Sequence, residues 1–108
     1  MIEGLVSVPL NILLVRLWTT DTERLRTSIR AAGLIARITR VDFPAALYAA
    51  LSWGTFDAVV YDSATPGITR DVLTTALREH NATTTVLEIA TDTGIGERLA
   101  ALMEARRN

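Results

Sequence analysis

Cysteine is missing from this chain of 108 residues, which excludes disulfides, thiol catalysis and cysteine-based metal sites. Lysine is missing too: all 11 basic residues are arginines, so any mechanism that needs a lysine amine is closed to it. The single histidine, His80, cannot build a zinc site unaided. No apolar run approaches the roughly 20 residues of a membrane-spanning helix. Met1 to Val8 lacks a basic segment and a cleavage site, so no signal peptide is expected and the expected location is the cytoplasm. Formal net charge is −1, which gives no basis for general binding to nucleic acid or to a membrane surface.

What remains is ordinary for a globular domain. Hydrophobic residues make up 49% and charged residues 21%. The length suits one domain with one modest core, expected over residues 1–108, with 1–9 as a loose lead-in closed by Pro9.

Along the chain, short apolar runs alternate with helical patterns. Asn11 to Val15 is a run of buried-strand length. Thr20 or Asp21 can cap a helix whose apolar face is Leu25, Ile29 and Ala32 and which Gly33 ends. Leu34 to Val41 reads as an edge strand, because Arg37 and Arg40 interrupt it. Pro44 opens a second helix that stops at Gly54. Ala58 to Tyr61 is a third strand ending on Asp62, followed by a Pro66-Gly67 turn. Thr69 or Asp71 caps a third helix that ends near His80-Asn81. Thr84 to Ala90 is a fourth strand, and Glu97 to Arg107 a last helix with Arg106 and Arg107 at its end. Strict β-α alternation predicts an α/β domain: a parallel sheet with helices on both faces.

Asn11 to Val15, the spacing from there to Gly33, the run Phe56 to Asp62 and the Pro66-Gly67 turn occur in that order. Together they resemble the receiver domain of bacterial two-component response regulators. The resemblance covers about Asn11 to the end. It implies a flavodoxin-like fold with sheet order 2-1-3-4-5. It also implies a chemistry of five parts: two acids after the first strand that help hold Mg²⁺, a phosphoacceptor aspartate after the third strand, a hydroxyl after the fourth and a lysine after the fifth.

Compared with that pattern, this chain keeps Asp62 at the phosphoacceptor position but has Arg16-Leu17 where the acids should be. The switch hydroxyl falls at Ala90 or Thr91. The lysine has no counterpart, and neither do the fifth strand and one helix. The expected sheet is therefore four strands in the order 2-1-3-4.

Mg²⁺ needs several hard oxygen ligands, and a neighbouring arginine repels it. No metal and no cofactor are expected. Arg16 can instead reach Asp62 as an ion pair, or point to solvent. Asp62 is read as a relic of the phosphoacceptor position, not a catalytic residue, and the chain is not expected to be an enzyme. Trp18 either fills the space near the lost acids or forms an exposed contact. Arg16, Leu17, Trp18, Thr91 and Asp92 are the candidate regulatory residues.

Four strands would leave the fourth as an edge. Val86, Glu88, Leu99, Leu102 and Met103 are the candidate interface residues, with Glu88 as a charge that discourages strand pairing. The expected function is a non-enzymatic signalling module that binds a histidine kinase, a response regulator or its own copy as a dimer. Three alternatives stand beside it. Asp62 could still accept phosphate. The end of the sheet could sense a nucleotide through Arg16 and Trp18, although Gly94-Ile95-Gly96 is only a weak phosphate-loop signal. Asp62-Ser63 could belong to a mixed-sheet fold similar to the anti-sigma-factor antagonists, with Ser63 at a helix start.

Overall fold

The computed structural model describes residues 9–91 and 93–107. The lead-in Met1 to Val8, the candidate Asp92 and the side chains of Arg106 and Arg107 lie outside what is described. The element order is β1 (Leu10–Val15), α1 (Glu23–Ala31), β2 (Ala36–Val41), α2 (Pro44–Trp53), β3 (Ala58–Asp62), α3 (Arg70–Glu79), β4 (Thr85–Ile89) and α4 (Ile95–Arg107). All strand pairs are parallel and the sheet order is β2-β1-β3-β4, a flavodoxin-like layout.

The burial patterns follow from position in the sheet. β3 is buried at every residue, and β1 from Ile12 onward, because helices cover both faces of these central strands. β2 alternates between half-buried and exposed residues until Val41, as an edge strand does. Ile12, Leu14, Ala58, Val60, Leu87 and Ile89 point to one face, where they meet Leu25 and Ile29 of α1 and Ile95 and Leu99 of α4. Leu13, Val15, Val59 and Tyr61 point to the other, against Leu47 of α2 and Leu73, Ala76 and Leu77 of α3. Right-handed crossovers require this division for α1, α2 and α3.

The last helix has a consequence for the β4 edge. A helix leading to a further strand outside β4 would cross on the face of α2 and α3. Instead α4 turns back and packs beside α1. Its fit depends on Gly96, where a Cβ would come within 1.9 Å of the Ser28 carbonyl oxygen. The Gly96 amide donates to Ser28 Oγ at 2.8 Å. The Gly94-Ile95-Gly96 run therefore serves helix packing. Among the described residues, no helix is long and apolar enough to cross a membrane.

Several element ends differ from the sequence-based expectation. The α1 cap position is Thr22, not Thr20 or Asp21, and its side chain makes no capping bond. Asp21 does the capping chemistry from one residue further out, its Oδ1 accepting from the Glu23 amide at 3.0 Å. β2 starts at Ala36 instead of Leu34, because the chain leaves α1 through Gly33 at φ +83° and the Leu34 amide turns back to the Ile29 carbonyl. β4 is Thr85–Ile89, one residue shorter at each end than Thr84 to Ala90. α4 starts at Ile95, before Glu97, since the Gly94 carbonyl already accepts from the Arg98 amide. Thr69 is the α3 cap, its hydroxyl accepting from the Val72 amide at 3.2 Å.

Candidate functional site

The carboxyl ends of the strands carry the candidate residues, as they do in open α/β sheets. β1 and β3 are adjacent, so the residues that leave them, Arg16 and Asp62, meet at one point. Arg16 Nε donates to Asp62 Oδ2 at 2.9 Å. Both residues are buried, Arg16 at 3% exposure and Asp62 at 8%. Burial of this degree demands a partner for each charge. The other oxygen, Asp62 Oδ1, accepts from the Ala64 amide at 2.9 Å. Arg16 Nη1 also donates to the Asp21 carbonyl at 3.3 Å. Both carboxylate oxygens are engaged, and the guanidinium joins β1, β3 and the approach to α1.

The loop after β3 is fastened on every side. Thr65 is buried, and its hydroxyl donates to the Val15 carbonyl at 3.2 Å. The Ser63 amide and hydroxyl both donate to the Ile89 carbonyl, at 3.0 and 3.2 Å. The Tyr61 hydroxyl donates to the Ile68 carbonyl at 2.9 Å. Gly67 lies so close to the β2–α2 connection that a Cβ would sit 2.5 Å from the Asp42 carbonyl oxygen.

Trp18 forms the exposed contact, at 66% exposure, and does not fill the space beside Asp62. The Arg40 guanidinium lies 5.3 Å from its ring centre, at cation–π distance. Arg40 Nη2 also donates to the Leu17 and Thr20 carbonyls. The Trp18 amide donates to Asp42 Oδ2 at 3.0 Å. Burial pushes the Arg40 pKa below the usual arginine value; Arg16 pushes the same way and Asp42 opposes it. Leu17 is exposed at the surface of this loop.

Thr91 lines an open groove of about 490 Å³ with Glu23, Arg24, Ser28, Thr93 and Gly94. Its hydroxyl accepts from the Thr93 amide at 3.4 Å, a local turn contact. Ala90 is exposed. His80 closes α3, with Nδ1 3.0 Å from the Ala76 carbonyl oxygen and its ring beside Tyr48.

Of the interface candidates, Leu99 is wholly buried between α4, α1 and the sheet, so it is core and offers no surface. Leu102 and Met103 are half-buried against the same core. Val86 is exposed at 40%, on the face that α4 leaves uncovered. Glu88 pairs with Arg70, and Arg98 Nη2 donates to the Glu88 carbonyl at 3.2 Å.

The Mg²⁺ that the resemblance implies does not fit this end of the sheet. The Asp62 oxygen that would bind it already faces the Arg16 guanidinium. Among the described residues, no group of three histidine or acid side chains is placed to hold a metal ion. Asp21, the acid nearest Arg16 in sequence, accepts from the Glu23 amide through its carboxylate and from Arg16 through its backbone carbonyl. The fold similar to anti-sigma-factor antagonists is not supported: among the described residues the sheet is wholly parallel, and Ser63 lies in a turn well before α3.

Sequence reasoning missed Arg40, Asp42 and Thr65 as parts of this end. Arg40 and Asp42 flank the last residue of β2, so only the β1–β2 register brings them to the Trp18 loop. Thr65 reads as an ordinary turn residue until its hydroxyl is seen to reach β1. Comparison with protein-family models, with curated proteins and with solved structures returns no match.

Proposed function

We propose that this chain is a non-enzymatic signalling module of the receiver kind, in which an internal ion pair stands where Mg²⁺-dependent aspartyl phosphorylation would operate. It acts in the cytoplasm by binding a histidine kinase, a response regulator or its own copy. The observation that carries this reading is the buried Arg16–Asp62 pair. A nucleophilic carboxylate needs a free oxygen and a neighbouring cation that can move onto the incoming phosphoryl group. Asp62 has a fixed guanidinium on one oxygen and a backbone amide on the other. The loop around it is tied to β1 and β4, which supports one fixed arrangement in place of a two-state switch.

The test is incubation of the full chain with a small acyl phosphate and Mg²⁺, followed by intact-mass measurement. The expected result is no added phosphoryl group in a folded sample. A gain of one phosphoryl group that disappears in Asp62→Asn would establish the phosphoacceptor reading instead. The nucleotide-sensing alternative is weaker, because Arg16 is buried against Asp62 and Arg40 already lies over one face of Trp18. Nucleotide titration followed by tryptophan fluorescence is expected to leave the emission unchanged.

A further inference from the structure

The two edges of the sheet are finished differently. Parallel pairing turns the amide and carbonyl of alternate residues toward opposite sides of a strand. In β4, the Ile89 carbonyl faces β3, so the backbone groups of Val86 and Glu88 face outward. That edge is partly closed: Arg98 holds the Glu88 carbonyl and Arg70 holds the Glu88 carboxylate. In β2, the Ile35 and Val41 carbonyls accept from Leu10 and Arg16 of β1, so the backbone groups of Ala36 and Ile38 face outward. Among the described residues, no side chain is hydrogen-bonded to them.

A groove of about 350 Å³ runs beside this open edge, between β2 and α1. Ile29, Leu34, Ala36 and Ile38 line it, and Arg26 and Arg30 join the lining from successive turns of α1. Ile35 is 56% exposed at its lower end. Arg40 follows at the upper end of β2, and Arg37 is exposed on the opposite face of the strand. Among the described residues, Arg26, Arg30 and Arg37 take part in no ion pair. This is a local excess of positive charge on a chain whose formal net charge is −1.

We infer that the β2 edge and the α1–β2 groove dock an extended acidic segment of a partner protein. The segment adds a strand outside β2, lays apolar side-chain stems over Ile38 and Ala36, and sets its carboxylates against Arg26 and Arg30. Main-chain bonds to an exposed edge supply affinity, and the flanking side chains supply selection. The charges argue against a second copy as the occupant. A two-fold antiparallel β2 pair centred on Ile38 would bring Arg37 of each chain diagonally beside Arg37 of the other on one face, a like-charge contact that opposes association. An apolar floor beside open backbone groups suits a peptide better than a nucleic acid, which would need phosphate contacts spread over a broader basic surface. The surface is separate from the Arg16–Asp62 pair, and its test stands apart from the phosphorylation test.

Titration of the isotope-labelled full chain with a short synthetic peptide alternating valine and glutamate, followed by amide chemical shifts, tests this directly. The expected result is perturbation centred on Ala36, Ile38 and Arg40 and on the adjoining turn of α1. The counterpart peptide with lysine for glutamate is expected to leave these amides unmoved. Arg26→Glu combined with Arg30→Glu, both at exposed positions, is expected to weaken binding by about tenfold or more. Methylating the backbone nitrogens on the pairing side of the peptide is expected to abolish binding without any change to the protein. The inference is overturned by an absence of perturbation at millimolar peptide, equal response to the lysine peptide, or shifts that map to β4. Competition by a short oligonucleotide at the same amides, or self-association through β2 in sedimentation, also overturns it.

Discussion

Among the described residues, Arg16–Asp62 and Arg70–Glu88 are two arginine–carboxylate pairs that differ in nearly everything except chemistry. Arg16–Asp62 lies between the two central strands, with side chains 4% and 11% exposed. Arg70–Glu88 joins α3 to the edge strand, with side chains 70% and 38% exposed. In the first pair each charge has left water, and the contact between them offsets part of that loss. In the second pair water remains close, and the attraction is weakened by solvent and salt. Two hydrogen-bonded pairs of the same residue classes therefore carry different consequences, and only the buried one can fix the end of the sheet where a receiver's chemistry would take place.

The largest expected effect comes from breaking the buried pair on one side only. Asp62→Ala leaves the Arg16 guanidinium buried without its carboxylate and is expected to cost about 3–5 kcal/mol in urea unfolding. Arg16→Met strands the carboxylate and is expected to cost a similar amount. Replacing both, as Arg16→Met with Asp62→Leu, is expected to be less harmful than either single change, because neither member of this contact is left facing a missing partner.

A smaller effect is expected at Thr65, which belongs to the same buried end without carrying charge. Thr65→Val removes the hydroxyl bond to the Val15 carbonyl and is expected to cost about 1 kcal/mol. Hydrogen exchange at the Ala64 and Thr65 amides is expected to accelerate in that variant, while exchange at β4 stays unchanged. Acceleration across the whole sheet would show that the loop is not separately fastened.

The smallest effect is expected at the edge. Arg70→Ala is expected to change stability by less than about 1 kcal/mol. Raising salt to about 1 M, where the screening length falls to about 3 Å, is expected to erase that difference and to leave the Asp62→Ala penalty largely in place. Equal salt sensitivity of the two variants would mean that the two pairs share one environment.

The architecture was readable because it rests on local signals. Asn11 to Val15 and Ala58 to Tyr61 are apolar without interruption, as strands covered on both faces must be, and β2 shows its edge position in Arg37 and Arg40. Arg16 could be placed within reach of Asp62 in advance because one follows β1, the other ends β3, and the two strands are neighbours in the expected order; the sequence left a solvent-facing Arg16 open beside that pair. What could not be read depends on contacts between distant parts of the chain. The approach of Gly96 to Ser28 places α4 beside α1, and no periodicity in α4 states which face it will cover. The same holds for Leu99: its apolar spacing marks a helix face, and only the return of α4 over the sheet makes that face core. Arg40 over Trp18 depends on the β1–β2 register, and Thr65 on the path of a turn, so neither has a sequence signature of its own.

The coupling of Arg16 to Asp62 makes them one structural unit at the end of the sheet. A double-mutant cycle measures it most directly, comparing unfolding free energies of the unmodified chain, Arg16→Met, Asp62→Leu and the double variant. The expected coupling energy is about 2 kcal/mol or more, within the range for residues in direct buried contact. Additive single effects, with coupling near zero, would contradict it.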